Sequence, residues 1–375
     1  MITVLFCFIF GIYVLLIFSL LIGFKLLPTT RHQNIEASTI FTVIIPFRNE
    51  AKNLPILIDS ITSLDYPTSK VDFLFVDDAS EDNSVQVIEK FAKKHPSVRI
   101  KILSNQRKSN SPKKDAILTA VSHTESEWIV TTDADCILPK KWLLLLNQKV
   151  VQKQPKMIAA PVTYQSNSTL FHYFQLLDFL SLQATTIGTF GLRIPFMCNG
   201  ANLAYQRETF MEVQGFVGND TIASGDDVFL LEKFIKHWPN KVVYVKATQA
   251  TVQTFPVETI QQLIAQRIRW ASKSTHYHLP TGKIIGSIVM LMNCICCLIP
   301  FLLFTPYLWK FASILFISKI VIDSFFLYQI LRFHQQKFNP FLLFLCGIIH
   351  PFFTVTIVIL SLFSSYSWKE RVFKK

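Results

Sequence analysis

Four long apolar runs constrain this chain before any other feature does. Thr3 to Phe24 and Ile284 to Trp309 carry no charge, and Phe341 to Phe363 has His350 as its single chargeable side chain. Phe311 to Leu331 is equally apolar apart from Lys319 and Asp323. A hydrocarbon core of about 30 Å is crossed by roughly 20 apolar residues in a helix, so all four are candidate spans. The chain reads as an integral membrane protein. With 50% hydrophobic and 17% charged residues, and 34 Phe against 11 Gly, a disordered chain, a collagen-like repeat and a small disulfide scaffold are excluded.

The formal charge of +12 reads as cytoplasmic-face bias and attraction to anionic membrane lipids. No arginine-rich stripe interleaved with aromatics points to nucleic acid. The cysteines are Cys7, Cys136, Cys198, Cys294, Cys296, Cys297 and Cys346, an odd number with five in apolar spans. That implies neither a disulfide framework nor a zinc spacing. The first run has no basic residue before it and is too long for a signal core, and Lys25, Arg31 and His32 follow it. It reads as an uncleaved anchor with the middle of the chain on the cytoplasmic side.

Three regions follow: an anchor over 1–27, a globular domain over 28–283 and a membrane bundle with a basic tail over 284–375. In the middle region Thr42 to Pro46 reads as a buried strand ended by its proline, and Phe73 to Val76 as the next strand. Val98 to Leu103 and Trp128 to Thr132 are further strands. Helical spacing lies between them, with Leu54, Leu57, Ile58 and Ile61 on one helix face and Ile117, Leu118 and Val121 on another. Such alternation predicts an α/β fold with a mostly parallel sheet and helices on both faces. Ligands of such sheets bind beyond the carboxyl ends of the strands. Asn49/Glu50, Asp77/Asp78 and Asp133/Asp135 all fall at those ends.

Each local motif has two readings. Asp133-Ala-Asp135 suits a hard cation that takes phosphate oxygens as further ligands, or is a pair of solvated loop acids. Asp77-Asp78 and Ser224-Gly-Asp-Asp227 also suit helix capping. Lys113 and Lys114 suit phosphate or a solvated face. Gln266, Arg269 and Trp270 lie at i, i+3 and i+4 and share a helix face. They suit a diphosphate and a sugar ring, or a basic helix resting on lipid headgroups.

The ordered set is more telling than its members: Asp77-Asp78, then Asp133-Ala-Asp135, then Asp226-Asp227, then Gln266-x-x-Arg269-Trp270, flanked by apolar spans. It resembles the membrane-embedded family 2 glycosyltransferases, which share a D, D×D, D, QxxRW pattern on a GT-A domain. Hyaluronan, cellulose and poly-N-acetylglucosamine synthases and ceramide glucosyltransferases are among them. The resemblance covers about Phe41 to Trp270 and the flanking spans. It implies that Asp78, with Asp77, contacts the nucleobase and ribose, that Glu50 lies near the base, and that Lys113 lies near the donor diphosphate. Asp133 and Asp135 would be the metal pair for Mg²⁺ or Mn²⁺, Asp135 being the direct ligand. Asp227 would be the base that activates the acceptor, with Asp226 second. Arg269 would serve the diphosphate, and Gln266 and Trp270 the acceptor. Ser111-Pro-Lys-Lys-Asp115 departs from the pattern, since relatives usually carry glycine before the lysine.

The function implied is an inverting transfer from a nucleotide-sugar donor, UDP-linked, to a lipid or glycan hydroxyl, giving a β-linkage. The location implied is the cell inner membrane. A processive polysaccharide synthase is the alternative within this class, with an oligomer or partner subunits to complete a pore. A non-catalytic scaffold subunit is the alternative outside it. Four spans place the tail, with Lys369, Arg371, Lys374 and Lys375, outside, against the positive-inside preference. A re-entrant second run, marked by Pro300 and Pro306, would remove that conflict. Lys319 and Asp323, four apart, either neutralise each other or face a path for acceptor or product.

Overall fold

The computed structural model describes residues 2–165, 169–220, 222, 224–274, 276–306, 308–363, 366–368 and 371–373. In chain order the elements begin with α1 (Ile2–Leu26), β1 (Phe41–Phe47), α2 (Leu54–Thr62), β2 (Val71–Asp77), α3 (Ser84–Lys94) and β3 (Arg99–Ser104). Then come α4 (Pro112–Val121), β4 (Trp128–Thr131), α5 (Trp142–Lys153), β5 (Met157–Ala159), β6 (Val162–Tyr164) and α6 (Leu170–Gly191). They are followed by β7 (Leu203–Gln206), α7 (Arg207–Glu212), α8 (Asp226–His237), β8 (Val242–Tyr244) and β9 (Val252–Thr254). Last are α9 (Ile260–Ser274), α10 (Pro280–Leu302), α11 (Trp309–Phe333), α12 (Pro340–Phe363), β10 (Tyr366–Trp368) and β11 (Arg371–Phe373). These divide into two compact units, a globular one over Pro28–Gln165 and Met197–Phe255 and a helical one over the rest.

The globular unit is built on a seven-stranded sheet in the order β3-β2-β1-β4-β7-β5-β8. Strands β3, β2, β1 and β4 are parallel, and β7 runs antiparallel between β4 and β5. Central β1 is apolar almost throughout, and Phe41, Val43, Ile44 and Ile45 are fully buried. A parallel strand covered on both faces requires this pattern. Edge strand β3 instead exposes Arg99 and Lys101, charges that discourage a further strand from adding on. Strand β1 does not stop at Pro46 but continues to Phe47. The missing N–H is tolerated there because β4 pairs with β1 only as far as Ile44. The apolar face of α2 lies as its spacing predicts, with Leu54, Leu57, Ile58 and Ile61 buried. On α4, Ile117 and Val121 are buried but Leu118 is not, because Ala116 and Ala120 complete the inner face.

The helical unit holds α1, α6, α9 to α12 and the antiparallel pair β10 and β11. Four of its helices, Thr3–Leu26, Pro280–Leu302, Trp309–Phe333 and Pro340–Phe363, are long and apolar enough to cross a membrane. No more than 33% of the most apolar 18-residue stretch of any of them is buried. Helix α10 is continuous and Pro300 falls in its last turn. Lys369, Lys374 and Lys375 of the tail lie outside the described residues. Helix α6 crosses α1 backbone to backbone: a Cβ on Gly188 would stand 2.6 Å from the Leu20 carbonyl oxygen, and one on Gly23 would strike the Gly188 carbonyl. Small residues at such a crossing are the usual means of close helix approach in lipid.

Within the bundle, Lys319 Nζ lies 2.8 Å from Asp323 Oδ2, and the Tyr13 hydroxyl donates to Asp323 Oδ1 at 2.6 Å. Lys319 is 1% exposed. The pair therefore ties α11 to α1, which favours the structural reading of the two charges. Lys319→Leu leaves the carboxylate without its cation and is expected to destabilise the bundle by about 3–5 kcal/mol. The double variant Lys319→Leu/Asp323→Leu should be far less affected. Equilibrium unfolding in detergent micelles measures the difference.

Candidate active site

The pairing of β1 with β2 and β4 brings the loops after all three strands to one edge of the sheet. The first two loops interlock. Asn49 and Ala79 both adopt left-handed backbone, with φ of 53° and 59°, a conformation that costs a non-glycine residue energy and marks over-determined sites. The Asn49 side chain accepts from Glu81 N at 2.8 Å, and the Asn49 amide donates to Ser80 Oγ at 3.1 Å. Arg48 Nη1 donates to the carbonyls of Asp78, at 3.0 Å, and Ala79. In this frame Glu50 and Asp78 are each 7% exposed. Glu50 Oε2 accepts from Asn53, and Asp77 Oδ1 caps the turn by accepting from Ser80 N. Asp78 Oδ1 accepts from Asn105 Nδ2 at 2.8 Å, and Arg107 Nε stands 3.8 Å away. Asn105 also donates to the Pro112 carbonyl at 3.0 Å. That bond joins the end of β3 to the start of α4.

Helix α4 then delivers Lys113. Its Nζ lies 2.6 Å from Asp133 Oδ1 and 3.3 Å from Asp226 Oδ2. Burial alone would lower the pKa of this ammonium. The carboxylates of Asp133 and Asp226, with Asp227 behind them, outweigh it and raise the pKa. Asp227 is fixed by backbone: Oδ2 accepts from Gly200 N at 3.2 Å and Oδ1 from Val228 N at 2.7 Å. Gly200 sits on a turn held by Thr131 Oγ1, which donates to its carbonyl at 2.7 Å. A Cβ at Gly200 would stand 2.8 Å from Asp226 Oδ2 and 3.4 Å from Lys113 Nζ. A larger residue here would have to displace the Asp226 carboxylate. Asp135 is half-buried two residues beyond Asp133. Next to it, burial and then the Asp135 and Asp133 carboxylates push the Cys136 thiol up.

Thus Lys113, Asp133, Asp226 and Asp227 are brought into one ionic cluster, with Asp135 on the same turn. Glu50, Asp77 and Asp78 form a neighbouring group linked to it by the Asn105–Pro112 bond. Gln266, Arg269 and Trp270 belong to the helical unit, where they lie on α9. Sequence reasoning missed Asn105, Arg107 and Gly200, and Lys114, read as a phosphate ligand or part of a solvated face, is instead buried against two backbone carbonyls. Gly200 lies in the segment Asn199-Gly-Ala-Asn202. Buried Asn202 accepts from Trp142 Nε1 and donates to the carbonyls of Pro161 and Ala250, each at 2.8 Å. A tight turn with asparagine at both ends, between two buried stretches, was the available signal. Tyr205 on β7 was missed too. Its hydroxyl is buried with no hydrogen-bond partner among the described residues, and burial, then the Asp226 carboxylate, raise its pKa.

Residues 42–214 match the model of Glycosyl transferase family 2. This stretch is a family 2 glycosyltransferase domain. A mannosyltransferase from Pyrobaculum calidifontis, solved in complex with GDP-Man and Mn²⁺, superposes with a TM-score of 0.55 at 16% identity, covering 96% of this chain and 99% of that one. The glycosyltransferase fold is therefore of the GT-A type. The chain is 29% identical over 102 residues to Glycosyltransferase AglE of Haloferax volcanii, covering 27% of this chain and 32% of that protein. It is 21% identical over 253 residues to a poly-beta-1,6-N-acetyl-D-glucosamine synthase of Staphylococcus epidermidis, covering 66% of this chain and 56% of the synthase. The matched stretches thus span about a third to a little over half of these relatives' length.

Lys114 is 1% exposed and braces the ionic cluster from behind. Its Nζ donates to the carbonyls of Asn219 at 2.6 Å and Ile222 at 2.8 Å, and sits 5.3 Å from the centre of the Phe229 ring. It thereby anchors the segment that leads into Asp226 and Asp227. Lys114→Met strands both carbonyls, so a loss of about 1–3 kcal/mol is expected. Denaturant titration, with limited proteolysis to report on the segment after Phe216, checks both the size and the place of the loss.

Proposed function

We propose that this glycosyltransferase moves a sugar, with inversion, from a nucleoside-diphosphate donor to a hydroxyl of a lipid or glycan acceptor at the membrane. The donor proposed is a UDP-sugar and the product is β-linked. The observation that carries the reading is the Lys113 ammonium held between Asp133 and Asp226, beside an Asp227 fixed by two backbone amides. Asp133 and Asp135 fit a divalent cation. Oxygen donors only are offered, and the neighbouring Lys113 shows that the cluster already attracts positive charge. Among the described residues no group of three or more metal-ligating side chains occurs. Two carboxylates with diphosphate oxygens completing the shell is what Mg²⁺ or Mn²⁺ prefers. When bound, that ion neutralises charge on the diphosphate.

The chain's own residues account for the rest. Asp78, Asp77 and Glu50 take the nucleoside end of the donor. The acceptor oxygen bonds to the anomeric carbon as the bond to the diphosphate oxygen breaks. The hydroxyl proton passes to Asp227, a role worth about 10²–10⁴-fold. Asp226 stays paired to Lys113, and Lys113 and Arg269 stabilise the leaving diphosphate electrostatically. Gln266 and Trp270 serve the acceptor. One displacement inverts the centre, so no second nucleophile is required. The mannosyltransferase with GDP-Man and Mn²⁺ supports the donor and metal classes. Lys25, Arg31 and His32 support a catalytic domain on the cytoplasmic side, in a cell inner membrane. The match to a poly-beta-1,6-N-acetyl-D-glucosamine synthase supports a processive synthase as the second reading, possible as an oligomer. Product length with labelled donor separates the two.

Asp135→Ala is expected to abolish transfer in a folded protein, and turnover that survives both this change and chelation would remove the metal assignment. Asp227→Asn should lower kcat by about 10²-fold or more while leaving donor affinity near normal. Steady-state kinetics with a titration of nucleoside diphosphate measures both, and lost affinity with intact turnover would contradict the base role.

A further inference from the structure

Helix α9 carries one more arginine than its motif requires. Arg267, between Gln266 and the Arg269-Trp270 pair, is 5% exposed. Its Nε donates to Asp178 Oδ2 on α6 at 2.5 Å, and its Nη1 donates to Gln266 Oε1. The guanidinium carbon lies 4.2 Å from the centre of the Trp270 ring. Phe179, next to Asp178, packs against the same ring at 5.9 Å. The other oxygen of Asp178 faces His350 Nε2 of α12 at 3.3 Å. Burial alone would raise the Asp178 pKa, but the Arg267 guanidinium, then His350, outweigh it and hold it down at about 2. The carboxylate is held from two sides.

We propose that Arg267 is a positioning residue, held by Asp178 and His350, that sets the orientation of Gln266 and Trp270 for transfer. A buried ion pair is by itself a poor source of stability, since well-packed apolar residues often serve as well. A planar guanidinium with five donors is different, because it can meet a carboxylate, an amide oxygen and a ring face at once. Lysine can keep only the ion pair. The inference rests on the transferase reading above, so its test runs beside Asp135→Ala.

Turnover is measured in detergent-solubilised full-length protein with a panel of UDP- and GDP-sugars, Mn²⁺ and a lipid extract, and nucleotide binding with Mn²⁺–UDP and Mn²⁺–GDP. Arg267→Lys is expected to lower kcat by about 10²-fold, the scale of a slight misplacement of a catalytic group, with nucleotide affinity unchanged. Asp178→Leu/Arg267→Met leaves no unpaired buried charge and keeps the test valid if the single variant misfolds. It should remain equally slow. Wild-type kcat in a folded double variant would mean that the pair only holds helices together, and would overturn the proposal. If instead Asp135→Ala keeps its activity, the transferase site itself has been misassigned, a result distinct from active Arg267 variants beside a dead Asp135→Ala.

Discussion

The Lys113 ammonium is the interaction on which the acidic cluster of the globular unit depends. Asp133 opens the turn after β4 and Asp226 opens α8, far apart in sequence, and each would repel the other at close range. A cation inserted from the start of α4 reverses that sign, so three segments converge where two carboxylates alone would part. The backbone around them is shaped to match. Gly200 leaves room for the charges, its amide holds Asp227, and Lys114, one residue on from Lys113, secures the segment that enters α8. Adjacent lysines thus divide the work, one within the cluster and one behind it.

The helical unit has an ionic centre of the opposite sign. There a carboxylate, Asp178, stands between Arg267 and His350, and the arginine meets two side chains of the QxxRW motif. A separate pairing, Lys319 with Asp323 and Tyr13, ties α11 to α1. In both places an isolated charge in an apolar setting would be costly; Arg267 meets its carboxylate on another helix, whereas Lys319 and Asp323 pair along α11 and Tyr13 of α1 donates to that carboxylate. The same physics that holds helices together also orients the residues proposed to act.

Much of the globular fold was legible because its signals are local. Runs such as Phe41 to Phe47 and Phe73 to Val76, closed by polar residues, mark buried parallel strands and the ends where ligands bind. The short strands β5, β6, β8 and β9 were not legible, since runs so short carry no usable period. Antiparallel β7 was hidden for the same reason, and Pro46 misled because a proline's effect depends on which neighbour needs its N–H. At the site, the acids stood out by residue type and position. Gly200 and Asn105 did not, and the clamping role of Lys114 was not legible, because these residues fill, bridge and clamp across distant segments. Arg267 was overlooked because its motif names the residues around it, while its burial and its Asp178 partner exist only in the folded chain.

The central claim is that the acidic cluster around Lys113 supports metal-dependent sugar transfer with inversion. It is tested most directly by incubating the purified protein with single UDP- and GDP-sugars, a lipid extract and either Mn²⁺ or a chelator, and determining the anomeric configuration of the product. The account predicts that at least one α-linked donor yields nucleoside diphosphate and a β-linked product with Mn²⁺ and none with the chelator. An α-linked product, or equal turnover in the chelator, would contradict it.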